Sequence, residues 1–188
     1  MPGPCYLITH PEVVVDPATP VVDWSLSAAG RARARRLTTA SWVLGLERVV
    51  CSAERKARET AGLLAVARAL PCTVDDELGE NDRSATGFLS PAEFEAVADA
   101  FFAAPQESVR GWEPAAVAQQ RVLRAVRRHV AGDPNGVAFV AHGAVGTLLY
   151  CDLAGVAVDR RHDQPGQGSY FAFDAVRWAP LHPWVRLP

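Results

Sequence analysis

Several kinds of residue are scarce in this chain, and each scarcity excludes something. Of its 188 residues one is methionine and four are cysteine, and the 19 basic residues include a single lysine, Lys56. The cysteines, Cys5, Cys51, Cys72 and Cys151, stand far apart, form no CxxC pair and mostly sit among apolar neighbours. That pattern argues against a disulfide framework and a cysteine-based zinc site, and for reduced, structural thiols. Neither sign of charge dominates, since the formal net charge is -2. General electrostatic attraction to nucleic acid or to an anionic membrane is therefore not expected, and any affinity for phosphate must be local. No run is long and apolar enough for a membrane-spanning helix, and MPGPCYLITH lacks the basic flank and cleavage site of a signal peptide, which makes the cytoplasm the expected location. Internal repeats and low-complexity linkers are missing too. The glycines of PGQGSYF, from Pro165, are turn chemistry ahead of a strand rather than a P-loop, because no Gly-Lys-Ser/Thr follows.

What is present is ordinary globular composition, 49% hydrophobic against 21% charged, in a length that suits one domain, residues 1–188. Two short apolar runs each end in a histidine: CYLITH at His10 and VAFVAHG at His142. A buried parallel strand that stops at a polar residue delivers it to the carboxyl edge of a sheet, where open α/β folds bind ligands. Two such strands can place two imidazoles in one cleft.

Around these runs, strands and helices alternate. Cys5–Thr9 reads as a strand, followed by a long proline-containing loop and a helix that Ser27 caps, with Ala29, Ala32 and Leu37 inward and its arginines outward. ERVVCS predicts a second strand, ARETAGLLAVARAL a helix ended by Pro71, and TVDDEL a short third strand leading to Glu80. SPAE at Ser90 has the form of a capping box opening a helix with Phe94, Val97, Phe101 and Phe102 on its apolar stripe. A further helix from about Glu113 to Val130 places Val117, Val122, Leu123 and Val126 inside and Arg121, Arg124, Arg127 and Arg128 mostly outside. The strand VAFVA, a helix through VGTLLYCDLAG and a last strand SYFAFD complete the chain, with an unstructured tail. His129, His162 and His182 show no ligand spacing, and the five tryptophans read as packing at core edges and loops.

The blocks LITHPE, LSAAGRARA, CSAERKARETA, ELGE and AHG, in that order, are similar to the motifs of the histidine phosphatase superfamily, the phosphoglycerate mutase-like proteins. The resemblance covers nearly the whole chain. It implies a three-layer α/β/α fold with a mostly parallel central sheet, and a cap or insertion at about residues 81–112. It further implies that His10 is the nucleophile, Glu80 the catalytic acid and His142 a partner in holding phosphate, with Ser52, Lys56 and Thr9 on the phosphate-binding positions. No cofactor and no metal is implied, and the expected partner is a small phosphorylated substrate. Oligomeric state is not readable.

Two departures from the family pattern fall on its cations. Thr-His-Pro stands where the family has Arg-His-Gly, so Thr9 offers a hydroxyl in place of a guanidinium and Pro11 removes a backbone N–H. Lys56 takes the place of a second arginine and offers a point charge where arginine offers a planar fork. Phosphoryl transfer depends on positioned cations and donors, and losing one without compensation costs on the order of 10² to 10³ in rate. Arg83 is the candidate replacement, with Arg55 the runner-up.

The leading expectation is a hydrolase of small phosphomonoesters acting through a phosphohistidine on His10. Glu12 or a backbone carbonyl would orient the second ring nitrogen, and Glu80 would protonate the leaving group. Mutase activity is less expected, because ENDR departs from the mutase pattern. The alternative is a protein that binds or senses phosphate esters with weak or no turnover. A metal site formed by His10, His142 and Glu80 ranks below both.

Overall fold

The short apolar runs become the centre of a sheet. In the computed structural model, which describes residues 3–188, β1 (Cys5–Thr9) is buried throughout, as is β2 (Arg48–Cys51) apart from its first residue. β3 (Cys72–Val74) is an exposed edge, β4 (Val137–Ala141) is wholly buried, and β5 (Ser169–Asp174), β6 (Ala179–Pro180) and β7 (Val185–Arg186) follow. The order is β3-β2-β4-β1-β5-β6, with β7 also paired to β5. β1 to β4 run parallel and β5 lies antiparallel to β1, so the sheet is mixed with a parallel core. The helices are α1 (Ala28–Leu37), α2 (Arg55–Arg68), α3 (Pro91–Ala103), α4 (Ala115–Val130) and α5 (Gly143–Ala154).

Side-chain alternation along each strand makes two cores, one per face. Tyr6, Ile8, Val49, Ala138 and Val140 pack against Leu37 of α1 and Ala57, Ala61 and Leu64 of α2. On the other face Leu7, Val50, Phe139, Phe171 and Phe173 meet α3, α4 and α5 through Phe101, Val122, Val126, Leu148 and Leu149. This is the expected layering of helices on both sides of a sheet. Among the described residues no helix is long and apolar enough to cross a membrane, and all four cysteines are free thiols.

Several local expectations are corrected. The third strand ends at Val74, because the Asp75 side chain accepts the Glu77 N–H at 3.0 Å and starts a short 3-10 turn instead. α2 begins earlier than expected, at Arg55, and stops at the left-handed Ala69 (φ 52°) before Pro71 is reached. The tail is not unstructured, since β6 and β7 both pair with β5. Ala29 and Val117 face solvent; Gly30 and Ala34 in α1, and Ala118 and Ala125 in α4, hold the inward positions instead. Arg121, expected outside, turns in toward the 77–80 segment.

Register sets the site. Thr9 lies opposite Ala141, so His10 and His142 leave neighbouring strands at the same level, and Ser52 leaves β2 beside them through its N–H to Val140 O at 3.0 Å. The chain after His10 is fixed by α1. The Ser27 hydroxyl caps Gly30 N–H at 3.0 Å, and the Ser27 N–H donates to Glu12 O at 2.9 Å. Gly30 permits this approach, because a Cβ there would stand 2.1 Å from Glu12 O.

Candidate active site

At the end of β1 the His10 ring is buried, and its Nδ1 lies 2.8 Å from Pro11 O. A carbonyl only accepts, so Nδ1 carries the proton and Nε2 keeps its lone pair. The orienting group is thus the backbone carbonyl. Glu12 instead forms an ion pair with Arg33, which also donates to Gln167 O, Gly168 O and Leu187 O and so ties the loop after His10 to the 167–168 turn. Burial, with the nearby Lys56 and Arg83 charges, lowers the His10 pKa to about 4, so the ring is neutral over the physiological range.

His142 sits at the start of α5, its ring centroid 5.3 Å from that of His10. Its Nε2 is 2.9 Å from Ser52 Oγ and 3.3 Å from Glu54 Oε1, while its Nδ1 is buried with no partner among the described residues. Burial also pushes this ring well below the usual imidazole pKa, against the pull of Glu54. Ser52 is itself fully buried and accepts the Glu54 N–H at 3.2 Å, serving as a strut between β2 and His142.

Glu80 is held by the first turn of α5. Its carboxylate accepts from Ala144 N–H at 3.2 Å and Val145 N–H at 3.1 Å, and from its own neighbour Asn81 at 3.2 Å. Burial, reinforced by the negative Glu54, raises its pKa above the ordinary carboxyl value despite Arg83 and the helix N–H groups. The backbone beneath it is anchored by Arg121, which donates to Glu77 O at 2.7 Å and Gly79 O at 3.0 Å and is braced by Glu113 at 2.8 Å.

The groups on the phosphate-binding positions are arranged less simply. Lys56 is buried in the first turn of α2, where its ammonium donates to Val21 O at 2.8 Å and forms an ion pair with Glu54. One of its three protons remains. Glu54, which sequence reasoning missed, also accepts the Glu80 N–H at 2.8 Å. Burial works against its charge, but His142, Lys56 and that N–H together hold its carboxyl down at about 2. The signal was available: an acid two residues before the only lysine, at a strand-to-helix turn.

Thr9 does not face the cleft. Its hydroxyl donates to Gln164 Oε1 at 2.6 Å and accepts the Ser169 N–H at 2.9 Å, and the residue is fully buried. Gln164 lies against Gly143, where a Cβ would meet its Nε2 at 2.4 Å. Thr9 therefore fixes an amide whose NH₂ group is turned toward the start of α5. Gln164 is a second residue that sequence reasoning missed, since nothing in a surface-like DQPG segment links it to a position 155 residues away.

A cavity of about 640 Å³ opens above these residues, lined by His10, Lys56, Glu80, Asn81, Arg83 and Gln164 among others. Arg83 stacks over Phe94 and Trp112, its guanidinium carbon 5.2 and 5.5 Å from the ring centroids, with Glu80 Oε2 4.0 Å away. Arg55 points elsewhere, paired with Glu59 at 3.0 Å. The fold thus brings His10, Lys56, Glu80 and Arg83 to one cavity; Thr9, Ser52 and His142 do not line it, but the His142 ring stands beside His10. Among the described residues no group of three or more His, Cys, Asp or Glu side chains is arranged to hold a metal ion.

The sequence pattern of the histidine phosphatase superfamily (branch 1) matches residues 5–180. No curated protein matches. Among solved structures, a mycobacterial glucosyl-3-phosphoglycerate phosphatase in complex with VO3 is similar at a TM-score of 0.77 and 22% identity, over 97% of this chain and 96% of that one. Bacillus stearothermophilus YhfR is similar at a TM-score of 0.75 and 23% identity, over 96% and 95%. A putative alpha-ribazole-5'-P phosphatase from Escherichia coli is similar at a TM-score of 0.70 and 21% identity, over 100% and 96%. At these identities the likeness is one of fold.

Proposed function

The chain belongs to the histidine phosphatase superfamily, branch 1, and from that membership we propose that it hydrolyses phosphomonoesters through a phosphohistidine formed on His10. The observation that carries this reading is the state of two groups in one cavity. His10 is neutral with its proton fixed on Nδ1 by the Pro11 carbonyl, and Glu80 is a buried carboxyl with a raised pKa. A nucleophile with a bare lone pair, and a carboxyl whose burial favours the protonated form, are what ester cleavage at phosphorus requires.

In the first step His10 Nε2 attacks phosphorus, the N–P bond forms as the ester P–O bond breaks, and Glu80 gives its proton to the departing oxygen. In the second, water attacks the phosphohistidine, Glu80 takes a proton from it, the N–P bond breaks and inorganic phosphate leaves with His10 restored. Equatorial charge is met by the remaining Lys56 proton, by Arg83 and by the Gln164 amide, with His142 Nδ1 as a further donor when protonated. The structurally similar mycobacterial phosphatase has been captured with VO3 and with inorganic phosphate, which supports a phosphate-sized site in this fold. Hydrolysis is favoured over a mutase reaction by the phosphatases among the similar structures.

The test is phosphate release from a panel of phosphomonoesters, compared between the wild-type chain and His10→Ala, with trapping of acid-labile, base-stable label on the protein. Release that depends on His10 together with trapped label supports the mechanism, and equal rates in the two proteins overturn it. A second reading, a phosphate-ester binding protein with little turnover, is favoured by one observation: Lys56 is already paired with Glu54 and no arginine stands at position 9. Binding without release across the panel would select it.

A further inference from the structure

The cavity is larger than a phosphate needs, and its outer walls are apolar. Val13, Val15, Val21 and Trp24 line it from the loop after β1, and Phe88 and Phe94 from the opposite side. None of these six is fully buried, although Phe94 packs against the edge of the core. Val15 and Phe88 are largely solvent-exposed, and the Trp24 and Phe88 rings meet across the mouth at 6.1 Å between centroids. Partly or largely exposed apolar groups gathered around a cleft that is continuous with His10, Lys56 and Glu80 face the place where the leaving group lies.

A second observation is independent of the walls. Asn81 is 97% buried by its 3% exposure, lines the same cavity, and has both its side-chain oxygen and its side-chain nitrogen buried without a hydrogen-bond partner. A buried amide left unpaired on both ends is rare and marks a missing partner. Asn81 shares that cavity with Glu80, and its backbone N–H donates to Glu80 Oε1 at 3.2 Å, so the missing partner belongs to a group bound in the same cavity. The charged residues farther out do not ask for an acidic substrate, since Arg160 is paired with Glu95 and Asp99.

We propose that the substrate is a phosphomonoester with a flat, apolar body, and with a hydroxyl or amide beside the ester oxygen that Asn81 binds. This rests on the phosphomonoesterase reading. Ring-bearing walls and the stacked Arg83 plane favour a planar body, whereas a polyhydroxylated one would lose water against Val13, Val15 and Phe88 with nothing to replace it. Asn81 supplies one donor and one acceptor edge, the complement of a group that both gives and takes a hydrogen bond.

The experiment compares kcat/KM for phosphate esters of primary alcohols: ethyl phosphate, 2-(1-naphthyl)ethyl phosphate and glycerol 1-phosphate. The naphthyl ester is expected to exceed the other two by on the order of 10²-fold, and Phe88→Ser to reduce that preference about tenfold. Adding a hydroxyl beside the ester carbon of an arylalkyl phosphate is expected to raise kcat/KM by about tenfold, a gain lost in Asn81→Leu. Equal values for naphthyl and ethyl esters overturn the apolar-body assignment, and a hydroxyl effect that persists in Asn81→Leu overturns the role of Asn81. If no ester is turned over, the phosphatase reading has failed by itself, and the corresponding phosphonates decide the cavity by calorimetry. Naphthylethylphosphonate binding at least tenfold tighter than ethylphosphonate supports it, and equal affinities overturn it.

Discussion

The two halves of the phosphate pocket differ in how free their groups are. On the side where bonds would break, His10 has its proton held by a carbonyl and its lone pair bare, and Glu80 is buried and raised in pKa by that burial. On the side where phosphate would be held, the cation and the hydroxyl are both committed to protein partners: Lys56 to Glu54 and Val21 O, and Thr9 to Gln164 and Ser169. The proton position on His10 is therefore set by backbone geometry at a strand end, and Glu80 is held by backbone N–H groups of α5. Charge depends on which ions face the ligand, and the single acid Glu54 offsets one of two cations. A pocket of this kind favours correct chemistry at modest rate over tight capture of a dianion.

The largest test of the contrast is at His10 itself. His10→Ala is expected to lower phosphate release by on the order of 10³-fold or more, as loss of a nucleophile does elsewhere. A smaller loss would mean that the bond-breaking half is not what it looks like. Lys56→Met comes next. It leaves the buried Glu54 carboxylate unpaired and is expected to cost about 3 kcal/mol in denaturant unfolding, with a rate loss of about 10²-fold. Because well-packed apolar pairs replace buried ion pairs at little cost, the double variant Lys56→Met with Glu54→Leu should regain most of the stability but not the rate. A third test addresses the neutral donor. Gln164→Leu and Thr9→Val are each expected to slow release by roughly tenfold, and together by little more than either alone, since Thr9 acts by fixing the Gln164 amide. Additive losses would show that Thr9 reaches the ligand by another route.

Much of this architecture could be read before any coordinates, for identifiable reasons. Continuous apolar runs stopped by His10 and His142 have one good solution, parallel buried strands, and the register that sets Thr9 opposite Ala141 follows from pairing them. The capping box at Ser90 was equally local, and it formed as written, with Glu93 accepting the Ser90 N–H at 3.2 Å. What escaped was everything that depends on tertiary approach. The resemblance puts Thr9 on a phosphate-binding position, but its orientation is decided by β5 and Gln164 across the sheet. Glu54 carried no periodic signal, only its place two residues before the single lysine. The exposure of Ala29 reflects a helix rotated so that Gly30 can meet the Glu12 backbone, an event no propensity describes.

The smallest expected effect concerns pH and separates the two halves most finely. Hydrolysis needs neutral His10 and protonated Glu80, so kcat/KM should be bell-shaped, with an acid limb near the His10 pKa of about 4 and an alkaline limb at the Glu80 value. Burial dominates both groups, but the negative Glu54 raises both as well. Removing that charge in Glu54→Gln therefore lowers both pKa values: His10 stays neutral to lower pH, and Glu80 loses its proton sooner as pH rises. The whole bell should slide toward acid, while the amide keeps one acceptor oxygen, enough for either Lys56 or the Glu80 N–H but not for both. If only the alkaline limb moves, Glu54 acts on the acid alone and the halves are electrostatically separate. If neither moves, Lys56 neutralises Glu54 so fully that its cost to phosphate holding is its only effect, and binding of inorganic phosphate, read by calorimetry, should tighten by a few-fold in the same variant.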